Sequence, residues 1–436
     1  MTTYRCDHLF GASGWVSPGE LVVEDGRSAV ERVRGYALPG MPNLHSHAFQ
    51  RAIAGLTEYA GPGGDDFWSW RDAMYRFALR VEPDELESLA CQLYVEMLEA
   101  GYTAVCEFHY LHHAPDGSPY DNPVEMSERL VAAARRAGIR LTLLPALYAS
   151  GGFDGAPLGA AQRRFRSDAA WVMRAVERLR RAHPEVRVGV APHSLRAAPP
   201  AELAACVTAL EGLDSAAPIH IHVAEQTREV DACLTARGAR PVEWLLASAP
   251  VDERWCLVHA THVTSRELAD VARAGAVIGF CPTTEANLGD GLGPAGRSGA
   301  AGVRFGVGSD SQISVSVREE LRWLEYTARL ERRARNVLAP AGAASTGAYL
   351  YSTALAGGLQ ALAQPGGRDL VVLDPEHPVL AERPLERVLD AHLFSNHGSA
   401  VRDVMVDGEW VVKDGRHRER EAIRACHRRA LARLAE

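Results

Sequence analysis

Between about residue 35 and residue 310, eight short apolar, β-branched runs alternate with longer stretches of helical periodicity, and this rhythm restricts the possible folds more than any other feature. The runs are ALPGMPNLHSH, TAVCEFHY, RLTLLPALY, VRVGVAPHS, PIHIHVAE, WCLVHATHV, AVIGFCPT and VRFGVGSD. Amphipathic segments such as DELESLACQLYVEMLEAG and MSERLVAAARRAG lie between them, each closing on a glycine suited to a helix C-terminus. Eight such units predict an α/β chain folded as a (β/α)8 TIM barrel, whose active site lies where strands end and βα loops begin. Nearly every run starts apolar and finishes with His, Glu, Asp, Tyr or Thr. A purely structural barrel has no need of that pattern.

The two ends read differently. Residues 19–36 and 368–417 alternate apolar and polar side chains around Asp-Gly turns, which predicts antiparallel hairpins. Residues 1–38 and 366–436 are therefore expected to combine into a small β-sandwich domain beside a barrel spanning 39–365. The tail EREAIRACHRRALARLAE has helical spacing and is expected on the surface, and GDGLGPAGRSGAAG (289–302) is expected as a flexible loop near the site.

Composition narrows the functional classes. A chain of 436 residues, 47% hydrophobic, suits one large core plus a modest second unit. A net charge of -8 offers no basic field, so a nucleic-acid partner is not expected. There is no basic leader followed by an apolar segment and no apolar run of about 18 residues, so a cytoplasmic protein without membrane contact is expected. The eight cysteines contain no C-x-x-C pair, which signals neither a disulfide framework nor a thiolate metal site.

Chemistry concentrates at the run ends. In His45-Ser46-His47, alternate strand residues face one side, so both imidazoles can chelate. In His220-Ile221-His222-Val223-Ala224-Glu225, His222 can bind a metal while Glu225 reaches over it as an acid or base. His220 shares that face and is read as a packing residue one layer down. His259 in LVHATHV adds an imidazole, with His262 as its competitor, and Asp310 after FGVGS adds a carboxylate.

The stretches MPNLHSHAFQRAIAGL, HIHVAEQ, LVHATHV and VGSD resemble the deaminase branch of the amidohydrolase superfamily, over essentially the whole chain. Within that branch they are most similar to the formimidoylglutamate deiminase family of histidine degradation, for which the run through Gln50 and Arg51 is distinctive. The resemblance implies His45, His47, His222 and Asp310 as metal ligands, with Glu225, His259 and Asp310 as catalytic groups. It implies hydrolysis of N-formimidoyl-L-glutamate to N-formyl-L-glutamate and ammonia. Binuclear members of the superfamily bridge their metals through a carboxylated barrel lysine, and the sole lysine here is Lys413 near the C-terminus. One divalent ion is therefore expected, with zinc fitting best and iron or manganese as alternatives.

A dicarboxylate substrate needs cations outside the metal shell, and arginine pairs bidentately with carboxylates. Arg71 and Arg196 are the expected clamp; Gln50, Tyr110 and His193, on neighbouring loops, complete the substrate-binding set that the resemblance implies. Trp68 and Trp70 are expected to wall or close the pocket, and His109, His112 and His113 to remain loop histidines. A homodimer is expected, as for many such barrels. The alternatives are a relative that deaminates a purine, pyrimidine or other small amidine, and an inactive scaffold, which would need none of these groups.

Overall fold

The computed structural model describes residues 1–24, 29–59, 64–395 and 398–435, and the chain is a mixed α/β structure. It begins with β1 (Thr2–Gly11), β2 (Gly14–Val16), β3 (Gly19–Val23) and β4 (Ala29–Leu38). In β1 the buried positions Thr2, Tyr4 and Cys6 recur with the period of two that a half-buried strand requires.

All eight apolar runs contain strand. They form β5 (Met41–Ser46), β6 (Tyr102–His109), β7 (Arg140–Leu147), β8 (Arg187–Val188), β9 (Ala191–Pro192), β10 (Ile219–Val223), β11 (Trp255–His259), β12 (Val277–Phe280) and β13 (Arg304–Val307). The fourth run is split into β8 and β9, both paired with β7, around Gly189, where an added Cβ would lie 2.1 Å from the Pro218 carbonyl oxygen. Pairing is parallel throughout, in the orders β5-β6-β7-β8 and β10-β11-β12-β13. Isolated parallel bridges then link the two sheets at both edges: Val190 and Ser194 pair with Ile219 and His222, and Ser46 pairs with Asp310. Every residue of β5, β6 and β10 to β12 is buried, as expected where helices cover one face of a sheet and side chains fill the other.

The terminal segments add β14 (Leu370–Leu373), β15 (Val401–Val406), β16 (Glu409–Lys413) and β17 (Arg416–His417). They join the N-terminal strands in one eight-stranded sheet, β17-β16-β15-β14-β4-β1-β2, with β3 also on β1. Two expectations change here. The hydrogen bonding of the described residues runs through one sheet rather than two stacked ones. Nor is 19–36 a hairpin: β1 lies between β3 and β4 and pairs in parallel with β4, while the Asp25-Gly26 turn falls outside the described residues. The C-terminal hairpins β15-β16 and β16-β17 do turn at Asp-Gly. Alternation along β4 sends Ala37 into a small core with Tyr4, Cys6 and Val372, while Tyr36 and Leu38 join the main core.

The C-terminal helix Arg420–Ala435 packs against the helix Pro83–Glu99, burying Ile423, Ala430 and Leu434. Residues 289–302, expected as a flexible loop, instead contain the helix Ala295–Ala301, which starts after Pro294, ends at left-handed Gly302 and packs on two neighbouring helices. All eight cysteines are free, and no described helix is long and apolar enough to cross a membrane.

The helix Thr346–Leu362 lies directly on β13, just below the strand end that carries Asp310. Contact is this close because Gly357 has no side chain: a Cβ there would sit 1.9 Å from the Phe305 carbonyl oxygen. Gly357→Ala must push the helix off the sheet and should destabilise the protein by about 1–3 kcal/mol. A lowered midpoint in thermal unfolding is the expected result, and an unchanged midpoint would contradict this packing.

Candidate metal centre

Three strand ends bring His45, His47, His222 and Asp310 to one point. His45 Nε2 lies 3.0 Å from His222 Nε2, and His47 Nε2 lies 3.3 Å from the same atom. Asp310 Oδ1 stands 3.3 Å from His45 Nε2 and 3.5 Å from His47 Nε2. Backbone carbonyls fix two of the rings: the Nδ1 proton of His47 goes to Phe108 (2.8 Å) and that of His222 to His193 (2.9 Å). Their Nε2 atoms therefore carry lone pairs that face each other and a carboxylate oxygen, and all four side chains are buried.

Such a set repels itself unless a cation sits within it. Four ligand atoms around a tetrahedral zinc at about 2.1 Å would be about 3.4 Å apart, so the residues present fit a divalent ion. Protonation favours the same reading. Burial pushes His45 down to about 3 and lowers His47 and His222, leaving neutral imidazoles ready to ligate. Burial alone would raise the Asp310 carboxyl, but the hydrogen bond from His45 and the positive charge of His259 hold it below its ordinary value.

Glu225 and His259 border this cluster. His259 Nε2 lies 3.7 Å from both Glu225 Oε1 and Asp310 Oδ2, and its Nδ1 lies 3.3 Å from Glu285 Oε1. Burial works against a charged His259, yet Glu225, Glu285 and Asp310 outweigh it and hold its pKa well above the ordinary value. Burial pushes Glu225 up to about 7, where one carboxyl can both hold and release a proton. Ala224, His259, Ala260 and Asp310 all adopt positive φ, from 47° to 67°. Each costs about 1–3 kcal/mol and persists only where surroundings enforce it. The buried Glu229 carboxylate supplies part of that enforcement by accepting the Ala224 and Glu225 backbone N–H groups at 3.2 and 3.3 Å.

A small cavity opens above the cluster. It is lined by Gln50, Arg71, Tyr110, His193 and Arg196, together with Glu225, His259 and an aromatic wall of Phe67, Trp70 and Tyr75. Gln50 Nε2 donates to Tyr110 Oη at 2.8 Å, and Gln50 Oε1 and the Nε atoms of Arg71 and Arg196 are buried without hydrogen-bond partners. Unmet donors of this kind suit an anionic ligand. A larger groove lies at the opposite strand ends, beside Arg140 and Arg187, but those arginines are already paired with Asp369 and Asp214.

The profile described as Amidohydrolase family matches residues 36–411. The chain belongs to the amidohydrolase family. A formimidoylglutamate deiminase from Pseudomonas aeruginosa is 52% identical over 396 residues, covering 89% of this chain and 87% of that protein. The crystal structure of an amidohydrolase from Brucella melitensis is 44% identical with a TM-score of 0.93, covering 100% of both chains. A zinc-bound adenosine deaminase structure from Xanthomonas campestris shares the fold at 18% identity and a TM-score of 0.81, covering 100% of this chain and 98% of that one.

Within this amidohydrolase, the histidines outside the site have other partners. His262 donates to the Asp290 carbonyl and His220 to the Ala361 carbonyl, each at 2.8 Å, so neither reaches the cavity. His112 and His113 lie on the loop after β6 as expected, whereas His109 is the last residue of that strand; all three are buried, and His112 and His113 bond the Ala146 and Arg166 carbonyls. Trp70 walls the cavity, whereas Trp68 stands beside the arginines. His193 does two things: its ring lines the cavity and its carbonyl orients His222. The sequence reading missed Glu285, Glu229 and Tyr75. Glu285 had a legible signal, since it follows the seventh strand at the same end as the other polar groups.

Glu285→Gln keeps an acceptor for the Cys281 N–H but removes the charge beside His259. Turnover should fall by about 10- to 100-fold with metal content unchanged, read by steady-state kinetics and elemental analysis. Unchanged turnover would remove Glu285 from the catalytic arrangement.

Proposed function

We propose that this amidohydrolase hydrolyses N-formimidoyl-L-glutamate to N-formyl-L-glutamate and ammonia. The observation that carries the reading is that Arg71 and Arg196, each with an unpartnered Nε, line the same cavity as the metal cluster. The relative of that activity at 52% identity supports it. A flexible dianion needs paired cations beside the reacting carbon, whereas a purine or pyrimidine needs a flat slot with amides reading its edges.

His45, His47, His222 and Asp310 hold one divalent ion, zinc by the nitrogen and oxygen character of the donors, with iron or manganese as alternatives. Such an ion lowers the pKa of water toward about 7 and so supplies a nucleophile at neutral pH. Lys413, the sole lysine, lies over the Trp410 ring on β16 and cannot bridge a second ion at the cluster. Arg71 and Arg196 bind the two carboxylates, while Gln50, Tyr110 and His193 orient the chain between them. His259 orients the water as its oxygen bonds to the formimidoyl carbon. Glu225 takes the proton that the water loses and delivers it to the imino nitrogen, and Asp310 takes the remaining proton of the new hydroxyl group and passes it to the amine as the C–N bond breaks and ammonia leaves.

The same reading gives the frame. The two parallel sheets, bridged at both edges, close as a (β/α)8 barrel over 39–365, and 1–38 with 366–436 form the second domain.

Ammonia release from zinc-loaded enzyme should be rapid with N-formimidoyl-L-glutamate and slow with N-formimidoyl-L-aspartate, guanine and cytosine. Turnover of a ring amine with none of the glutamate derivative would sink the proposal. Arg71→Ala and Arg196→Ala should each raise KM about tenfold or more, as loss of a charge-assisted pair of about 1.5–3 kcal/mol requires, and unchanged KM in both would remove the clamp. Glu225→Gln should lower kcat by about 10²- to 10⁴-fold while metal and substrate still bind, and retained turnover would exclude Glu225 as the proton donor.

A further inference from the structure

Three guanidinium groups, rather than two, surround the indole of Trp68. Arg71 lies 4.7 Å from the ring centroid, Arg228 4.8 Å and Arg196 5.7 Å. Arg71 and Arg196 line the cavity. Arg228 does not: it is exposed in the first turn of the helix Thr227–Arg237, three residues beyond Glu225.

Like charges this close repel, and at Arg196 the nearby Glu229 and Glu225 offset part of this without pairing with it directly. Among the described residues, the carboxylate that Arg71 pairs with is its chain neighbour Asp72, at 3.5 Å and with a side chain 60% exposed. Among the described residues, neither Arg196 nor Arg228 has a carboxylate within ion-pair distance. The indole face offsets part of the repulsion. The rest is an unmet positive field at the cavity mouth. The three groups also differ in exposure, with Arg228 exposed and Arg71 and Arg196 both partly buried.

We propose that Arg228 is a further specificity-determining residue. It captures one carboxylate of an incoming dicarboxylate at the rim and passes it inward to Arg71 and Arg196, with Trp68 holding the three guanidinium groups in place. The inference rests on the dicarboxylate reading above and adds to it the group that selects a dianion before the inner clamp closes. A field of this kind acts mainly on encounter and is screened by salt. A purely structural Arg228, pinning Trp68 and its helix, would instead affect every substrate alike.

The test compares wild-type, Arg228→Gln and Arg228→Lys enzymes, zinc-loaded, on N-formimidoyl-L-glutamate and on the monoanion N-formimidoyl-4-aminobutyrate. For Arg228→Gln, kcat/KM on the dianion should fall about tenfold, carried by KM, and by about twofold at most on the monoanion. Its dependence on ionic strength should flatten, Arg228→Lys should recover most of the loss, and calorimetry should show weaker binding of glutarate, a plain dianion. Equal losses on both substrates, or no loss on either, would overturn the role of Arg228 and leave the function standing. A wild-type enzyme inert toward N-formimidoyl-L-glutamate would instead overturn the substrate reading, and this inference with it.

Discussion

Three imidazole nitrogens and a carboxylate oxygen aimed at one another at 3.0–3.5 Å are the constraint on which the rest of the site depends. Two of those imidazoles are locked by backbone carbonyls on other strands, so their lone pairs cannot turn away. A parallel arrangement meets that demand because all its strand ends lie on one side, and three distant chain segments together supply the four rigid donors. The positive φ values at Ala224, His259, Ala260 and Asp310 mark the strain this convergence imposes. Gly357 shows how tightly the scaffold behind Asp310 must pack to hold it.

Around the cation cradle, charge is graded by function. Acidic groups cluster on one side, where Glu225, Glu285 and Asp310 surround His259 and keep a proton within reach. Cationic groups cluster on the other, where Arg71 and Arg196 meet the cavity through an aromatic wall. Separating the two signs places acid–base groups at one side of the pocket and unpartnered cationic donors at the other.

Much of this was legible in the sequence, for a physical reason. Strands covered on both faces must be apolar until they reach the functional end, so the eight runs and their polar endings stood out together. His45, His47, His222, Glu225, His259 and Asp310 converge because each is placed by a strand end, the element whose direction a sequence pattern fixes best. The association of the two chain ends was legible, but the order of the strands within their sheet was not. Local alternation around an Asp-Gly pair could not show that β1 would lie between β3 and β4. The glycines of 289–302 read as flexibility, whereas small residues there let Ala295–Ala301 pack as a helix between two others. Glu285 escaped notice because its partner His259 is 26 residues away and on another strand.

The central claim is that one cation, held by His45, His47, His222 and Asp310, is what this convergence is for. Titrating metal-free protein with zinc while following ammonia release from N-formimidoyl-L-glutamate tests it most directly. The account predicts activity rising from the background to a plateau at one equivalent per chain. Full activity without metal, or a plateau only at two equivalents, would contradict it.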